Sequence, residues 1–117
     1  MMKKKTMIIA GMILLVALSL TAQKAENLLY FDISPNPMEK HCDISLEFRN
    51  ETFITLTILN DAAEVVKTIY SGPVHKSQTF GWERDDAMGN IVPNGTYHVV
   101  INYQSRYTST KKTLILK

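Results

Sequence analysis

One cysteine, one tryptophan, five glycines and four prolines are all that this 117-residue chain carries of the residues that staple, kink or punctuate small proteins. A single thiol closes no internal disulfide, so the fold must be held by buried apolar surface, and Cys42 reads as a small buried hydrophobe. Internal repeats and low-complexity segments are absent. Beyond the N-terminal region no stretch carries a helical stripe. "NDAAEVVKTIY" comes nearest, and its valines, threonine and isoleucine favour a strand. No serine sits in a nucleophile-elbow sequence, and there is no glycine-rich phosphate loop. His41, His75 and His98 are scattered, and His41 beside Cys42 lacks a second ligand pair at zinc spacing. These gaps argue against a hydrolase and a metal centre, and no cofactor or small-molecule substrate is expected.

A basic excess is also missing once the N-terminus is set aside. "MMKKK" precedes the apolar run "MIIAGMILLVALSL", about 14 residues, which suits the core of a signal peptide and falls short of the ~20 that span a bilayer. "TAQ" offers Ala22 for cleavage, and no cysteine follows to take a lipid. The expectation is a signal peptide over residues 1–22, a short lead-in over 23–29, and one domain over 30–117, exported and without a membrane span. Lys3, Lys4 and Lys5 leave with the signal, turning the formal charge of +2 slightly acidic. That removes any case for nucleic acid as a partner.

What remains has period two, with turn signals every 8–12 residues, and reads as an all-β sandwich. "LLYFDI" is a first strand, ended by "SPNP", whose two prolines have no N–H for a ladder. In "DISLEFR" Ile44, Leu46 and Phe48 alternate with polar residues. "FITLTILN" puts Ile54, Leu56 and Ile58 on one face and threonines on the other. "NDAAE" is a tight turn, "EVVKTIY" a strand and "SGPVHK" a loop. "QTFGW" aligns Phe80 with Trp82, the centre of the expected core. "GTYHVVINY" aligns Tyr97, Val99, Ile101 and Tyr103, and "TKKTLILK" closes the chain. Seven strands are expected.

The segment "WERDDAMGNIVPNGTY" holds the one concentration of acidic side chains. A calcium loop needs ligands at alternate positions and a closing glutamate; here Asp85 and Asp86 are adjacent, and Met88 and Ile91 stand where ligands belong. Turn chemistry explains more. Gly89 and Gly95 can take positive φ, Pro93 sets a turn, and Asp85 or Asp86 can accept backbone N–H groups. Tyr97 can then return its hydroxyl to loop backbone. "NET" and "NGT" read as turns in place of glycosylation sites. Tyr70, Tyr103 and Tyr107 offer a contact face or, more simply, scattered packing.

In order, "ISPNP", "ITLTILNDAAEVVKTIY", "WERDDAMGNIVPNGTY" and the terminal "KKTLILK" resemble one domain type. It is the immunoglobulin-like antiparallel β-sandwich shared by the type IX secretion system C-terminal sorting domain (type A) and the flagellar hook-capping protein's immunoglobulin-like domain. The likeness covers about residues 30–117. It implies that Pro35, Asn36, Pro37, Trp82, Asp86, Gly89, Gly95 and Tyr97 are structural motif positions. It implies too that Lys112, Thr113, Leu114, Ile115, Leu116 and Lys117 form the recognised end, with secretion machinery or envelope proteins as partners. The implied mechanism is recognition of a folded surface and an exposed final strand through edge pairing. The other role implied is a structural or adhesive module of an envelope assembly. The chain departs from the family in two places: Arg84 stands where a glycine is common, and Ala62 and Ala63 replace a glycine in the middle turn. Only about a dozen residues separate the expected cleavage point from Pro35, too few to be a folded cargo.

Overall fold

The computed structural model describes residues 27–104 and 108–117, so the expected signal peptide, most of the lead-in and Tyr107 lie outside the described residues. Seven strands follow in order: β1 (Leu28–Ser34), β2 (Cys42–Phe48), β3 (Thr52–Asn60), β4 (Val65–Val74), β5 (Ser77–Trp82), β6 (Gly95–Tyr103) and β7 (Ser109–Leu116). Two antiparallel sheets result, one ordered β1-β2-β5 and the other β4-β3-β6-β7. No helix among the described residues is long and apolar enough to cross a membrane.

The alternation in the sequence is what separates core from surface. In β2, Cys42, Ile44, Leu46 and Phe48 are buried while Asp43 and Glu47 are exposed. Ile54, Leu56 and Ile58 of β3 face them from the second sheet, with Val99 and Ile101 of β6 and Leu114 and Leu116 of β7 beside them. Because side chains alternate along a strand, each sheet buries one face and turns a largely polar face outward, on which Phe53, Val100 and Ile115 are apolar exceptions. Trp82 is 1% exposed at the centre, its ring edge-on to Tyr97 at 6.1 Å between centroids, and its Nε1–H donates to the carbonyl of Asp85 at 2.9 Å. The indole thus buries its area with its single donor satisfied.

β4 departs from the expected pattern. The strand does not stop at Tyr70; it runs on through Ser71, Gly72 and Pro73 to the fully buried Val74. The expected loop "SGPVHK" is therefore largely strand. Pro73 is tolerated because β4 is an edge strand, where a missing N–H breaks no inner ladder. Two bulges explain why β4 does not alternate cleanly. Tyr70 pairs with Leu56 and Thr68 with Thr57, leaving Ile69 unopposed, and a second shift leaves Val66 unopposed. Val66, Ile69 and Tyr70 all pack on the core as a result. Tyr70 lies against Phe80 (4.9 Å) and Tyr103 against Phe48 (6.3 Å), so both serve packing and not an exposed contact face.

Candidate functional site

The residues with the most to say about function converge where the chain leaves β1 and where β7 ends. After Ser34 the segment Pro35-Asn36-Pro37-Met38 passes from the edge of the first sheet to the edge of the second. Pro35, Asn36 and Pro37 are exposed, and Met38 is wholly buried. The prolines do take the chain off the first sheet, as their missing donors require, but the segment is not a free loop. The Asn36 amide acts like a peptide unit: Nδ2–H donates to Thr113 O at 2.9 Å, and Oδ1 accepts Ile115 N–H at 3.1 Å. Met38 continues the pairing in parallel sense, its N–H donating to Ile115 O at 2.8 Å and its carbonyl accepting Lys117 N–H at 3.0 Å. β6 holds the opposite edge of β7 along Ser109–Leu116. Strand addition at Thr113–Lys117, the edge-pairing mode expected from the resemblance, is thus closed in the folded chain, because the groups it would use are already bonded.

Arg84 completes the closure from the turn after β5. Its backbone is left-handed, φ 60°, at the position where a glycine is common. The guanidinium reaches three segments through four acceptors: Nε–H donates to Val92 O (2.9 Å), Nη1–H to Glu39 O (2.7 Å) and Lys117 O (3.1 Å), and Nη2–H to Asn94 Oδ1. A charged, planar donor set can satisfy several carbonyls at once. That is what the side chain adds where glycine would ease the backbone. The second departure behaves alike. Ala63 also takes a left-handed φ of 63° in the β3–β4 turn, which Asn60 caps by accepting Ala62 N–H at 3.0 Å and Glu64 N–H at 2.9 Å.

The acidic loop is a turn, as its residue types indicate. Asp86 Oδ1 accepts the N–H groups of Met88 and Asn90, both at 2.9 Å. Gly89 takes φ 87°, and Gly95 takes φ 153° at the start of β6. Asp85 turns away to pair with Lys67 at 2.6 Å, and Glu83 instead meets His41 at 2.6 Å, so the carboxylates do not converge. Tyr97, buried in the core, returns its hydroxyl to Pro93 O at 2.7 Å. Burial raises the Tyr97 phenol.

The expected recognition residues divide by the pleat. Leu114 and Leu116 are core residues, unavailable to a partner while the domain is folded. Lys112 Nζ donates to Phe31 O at 2.7 Å and lies over the Phe31 ring at 5.6 Å, tying the two sheets together across their open side. Thr113, Ile115 and Lys117 are exposed on the outer face. Two residues were missed from sequence. Lys111 shares that outward stripe, which the period-two pattern could have supplied. Arg84 gave no local signal of its contact with the chain end.

On the outer face of the first sheet, His41 lies between Asp43 (2.8 Å) and Glu83 (2.6 Å), and these hydrogen bonds raise its pKa. Its ring covers Gly81, where a Cβ would come within 3.0 Å of Cε1. Cys42 points the other way, into the core, and its thiol is pushed up to about 11 by desolvation.

The model of the FlgD Ig-like domain matches residues 44–106, more than half of the chain and the body of the sandwich from β2 to β6. The chain belongs to the FlgD Ig-like domain family. No curated protein matches it. Among solved structures this FlgD Ig-like domain resembles dimeric latent PorU from Porphyromonas gingivalis, with a TM-score of 0.57 and 17% identity over 74% of this chain. PorZ of the same organism, a surface component of its type IX secretion system, gives 0.52 and 16% over 74%. The chain spans only 9% and 11% of those two proteins. At such identities the likeness is one of fold. The family match stops short of β7.

Proposed function

We propose that this FlgD Ig-like domain is an exported, non-catalytic sorting module, recognised by outer-membrane secretion machinery through the end of β7. The observation that carries the reading is the display of that strand. A lysine-ended strand lies at a sheet edge, anchored by two leucines, with alternate side chains turned to solvent. The ordered motif series supports it, as does a fold shared with PorZ, whose role is in type IX secretion. The domain would act as an address read in the folded state, following export by the signal peptide expected over residues 1–22. No bond is made or broken by it.

The test is surface export of a reporter joined ahead of residues 30–117 in a host with such a secretion system. Reporter retained in the periplasm would refute sorting. Deleting "KKTLILK" is a poor control, since it removes Leu114 and Leu116 from the core; charge reversal of Lys111 and Lys117, whose side chains tie no strands together, should leave the fold intact. One observation favours a structural role in an envelope assembly: the family match is to the Ig-like domain of FlgD, the flagellar hook-capping protein, over residues 44–106. Concentration-dependent self-association without export would support that role.

A further inference from the structure

We infer that the end of β7 is read through its outward side chains, Lys111, Thr113, Ile115 and Lys117, by an acidic protein surface with an apolar contact at its centre, and not by addition of a partner strand. The inference rests on the sorting role and specifies how the strand is recognised.

Three observations carry it. First, the backbone from Thr113 to Lys117 is bonded on both edges, by β6 on one side and by Asn36 and Met38 on the other. A partner strand would first have to expel Met38, which is wholly buried, from the core. Second, the pleat sorts the lysines. All three are exposed, but Lys112 is committed to Phe31, whereas Lys111 and Lys117 have no carboxylate partner among the described residues. The stripe sets a cation at each end, roughly 20 Å apart at strand rise. Between them sit Thr113 and Ile115, the latter 36% exposed. Third, Arg84 fixes the far end by holding Lys117 O together with Glu39 O and Val92 O. A stripe held at one end by Arg84, at its middle by Asn36 and along one side by β6 is pre-organised, which lowers the ordering cost of a side-chain contact. Exposed cations flanking an apolar side chain complement carboxylates set around an apolar side chain, and such charges set partner choice and encounter rate.

The experiment uses the full chain in a host with the secretion system, reading surface-exposed protein by protease accessibility and stability of each purified variant by urea unfolding. Lys111→Glu with Lys117→Glu, and separately Ile115→Asp, should lower surface export about tenfold or more with unchanged urea midpoints. Glu47→Lys, on the outer face of the other sheet, should leave export unchanged. Asn36→Ala and Arg84→Ala should lower export too, because the stripe loses its fixed position. Normal export of the stripe variants, or raised export on loosening by Asn36→Ala and Arg84→Ala, would overturn the inference in favour of a released strand. Binding of the wild-type chain to anionic vesicles, lost in the stripe variants, would overturn the protein partner. Wild-type chain that never reaches the surface would instead sink the sorting role itself.

Discussion

Replacing Arg84 tests the most consequential contact in the molecule, because that residue is unfavourable by backbone and favourable by side chain. Its φ of 60° is a left-handed conformation that costs an L-residue about 1–2 kcal/mol and glycine little. Against this stand the donors to Val92 O, Glu39 O, Lys117 O and Asn94 Oδ1. A hydrogen bond from a charged donor is worth about 1.5–3 kcal/mol when well isolated from water. Several of these acceptors are near the surface and would be resolvated on truncation, so the contributions do not simply add. Arg84→Ala keeps the backbone cost and loses every donor, and should destabilise the domain by roughly 2–3 kcal/mol. Arg84→Gly loses the same donors but relieves the backbone, and should sit about 1 kcal/mol above the alanine variant. Arg84→Lys keeps the charge without the planar fork and should fall near the alanine variant. Trp82 is the sole tryptophan and is buried, so its fluorescence reports urea unfolding directly. In a domain of this size each kcal/mol moves Tm by about 4–8 °C. Amide exchange at Lys117 and Val92 gives a local readout. If alanine and glycine variants were equally stable, the backbone argument would fail; if the alanine variant matched wild type, the clasp would be ornamental.

Other outcomes follow from the same structure. Trp82→Ala should cost about 3–5 kcal/mol by leaving a cavity at the centre of the sandwich, measured by chemical denaturation followed by circular dichroism. Ala63→Gly should stabilise by about 0.5–1 kcal/mol, since φ 63° is free to glycine; loss of stability would mean that the turn does not hold this conformation in solution. His41, hydrogen-bonded to Asp43 and Glu83, should titrate above 6.5 by NMR. Because the ring is more basic when folded, its stabilising contribution is complete below 6.5 and fades as pH rises through the folded value; Asp43→Asn with Glu83→Gln should return the titration towards the ordinary range. Cys42, with a thiol pushed up to about 11, should resist thiol reagents in native protein at pH 8 and react once urea unfolds it.

The strands were legible because burial on one face forces alternation, and Cys42–Phe48 and Gly95–Tyr103 show it plainly. β4 was misjudged at its C-terminal end for a physical reason. Bulges break the alternation, and an edge position tolerates the Gly72-Pro73 pair that ordinarily marks a loop. The Asp86 turn and the Tyr97 hydroxyl were readable because each uses backbone within four residues. Asn36 was readable only as part of a break. Its partners, Thr113 and Ile115, stand 77 and 79 positions away, and no local pattern encodes that distance.

The amino-acid order by itself settled which apolar residues of β2 and β6 share an inward face, that Asp86 and its neighbours form a turn, and that no internal disulfide holds the chain, since these depend on neighbours and on composition. Which strand meets which, and so which lysine is free, was decided only when the two sheets closed. Lys111 and Lys112 are alike in sequence and both exposed, yet only Lys112 is bonded to Phe31 across the sandwich. That difference arises from the pleat of β7 together with the position of β1, a long-range pairing whose energy exists only in the folded chain.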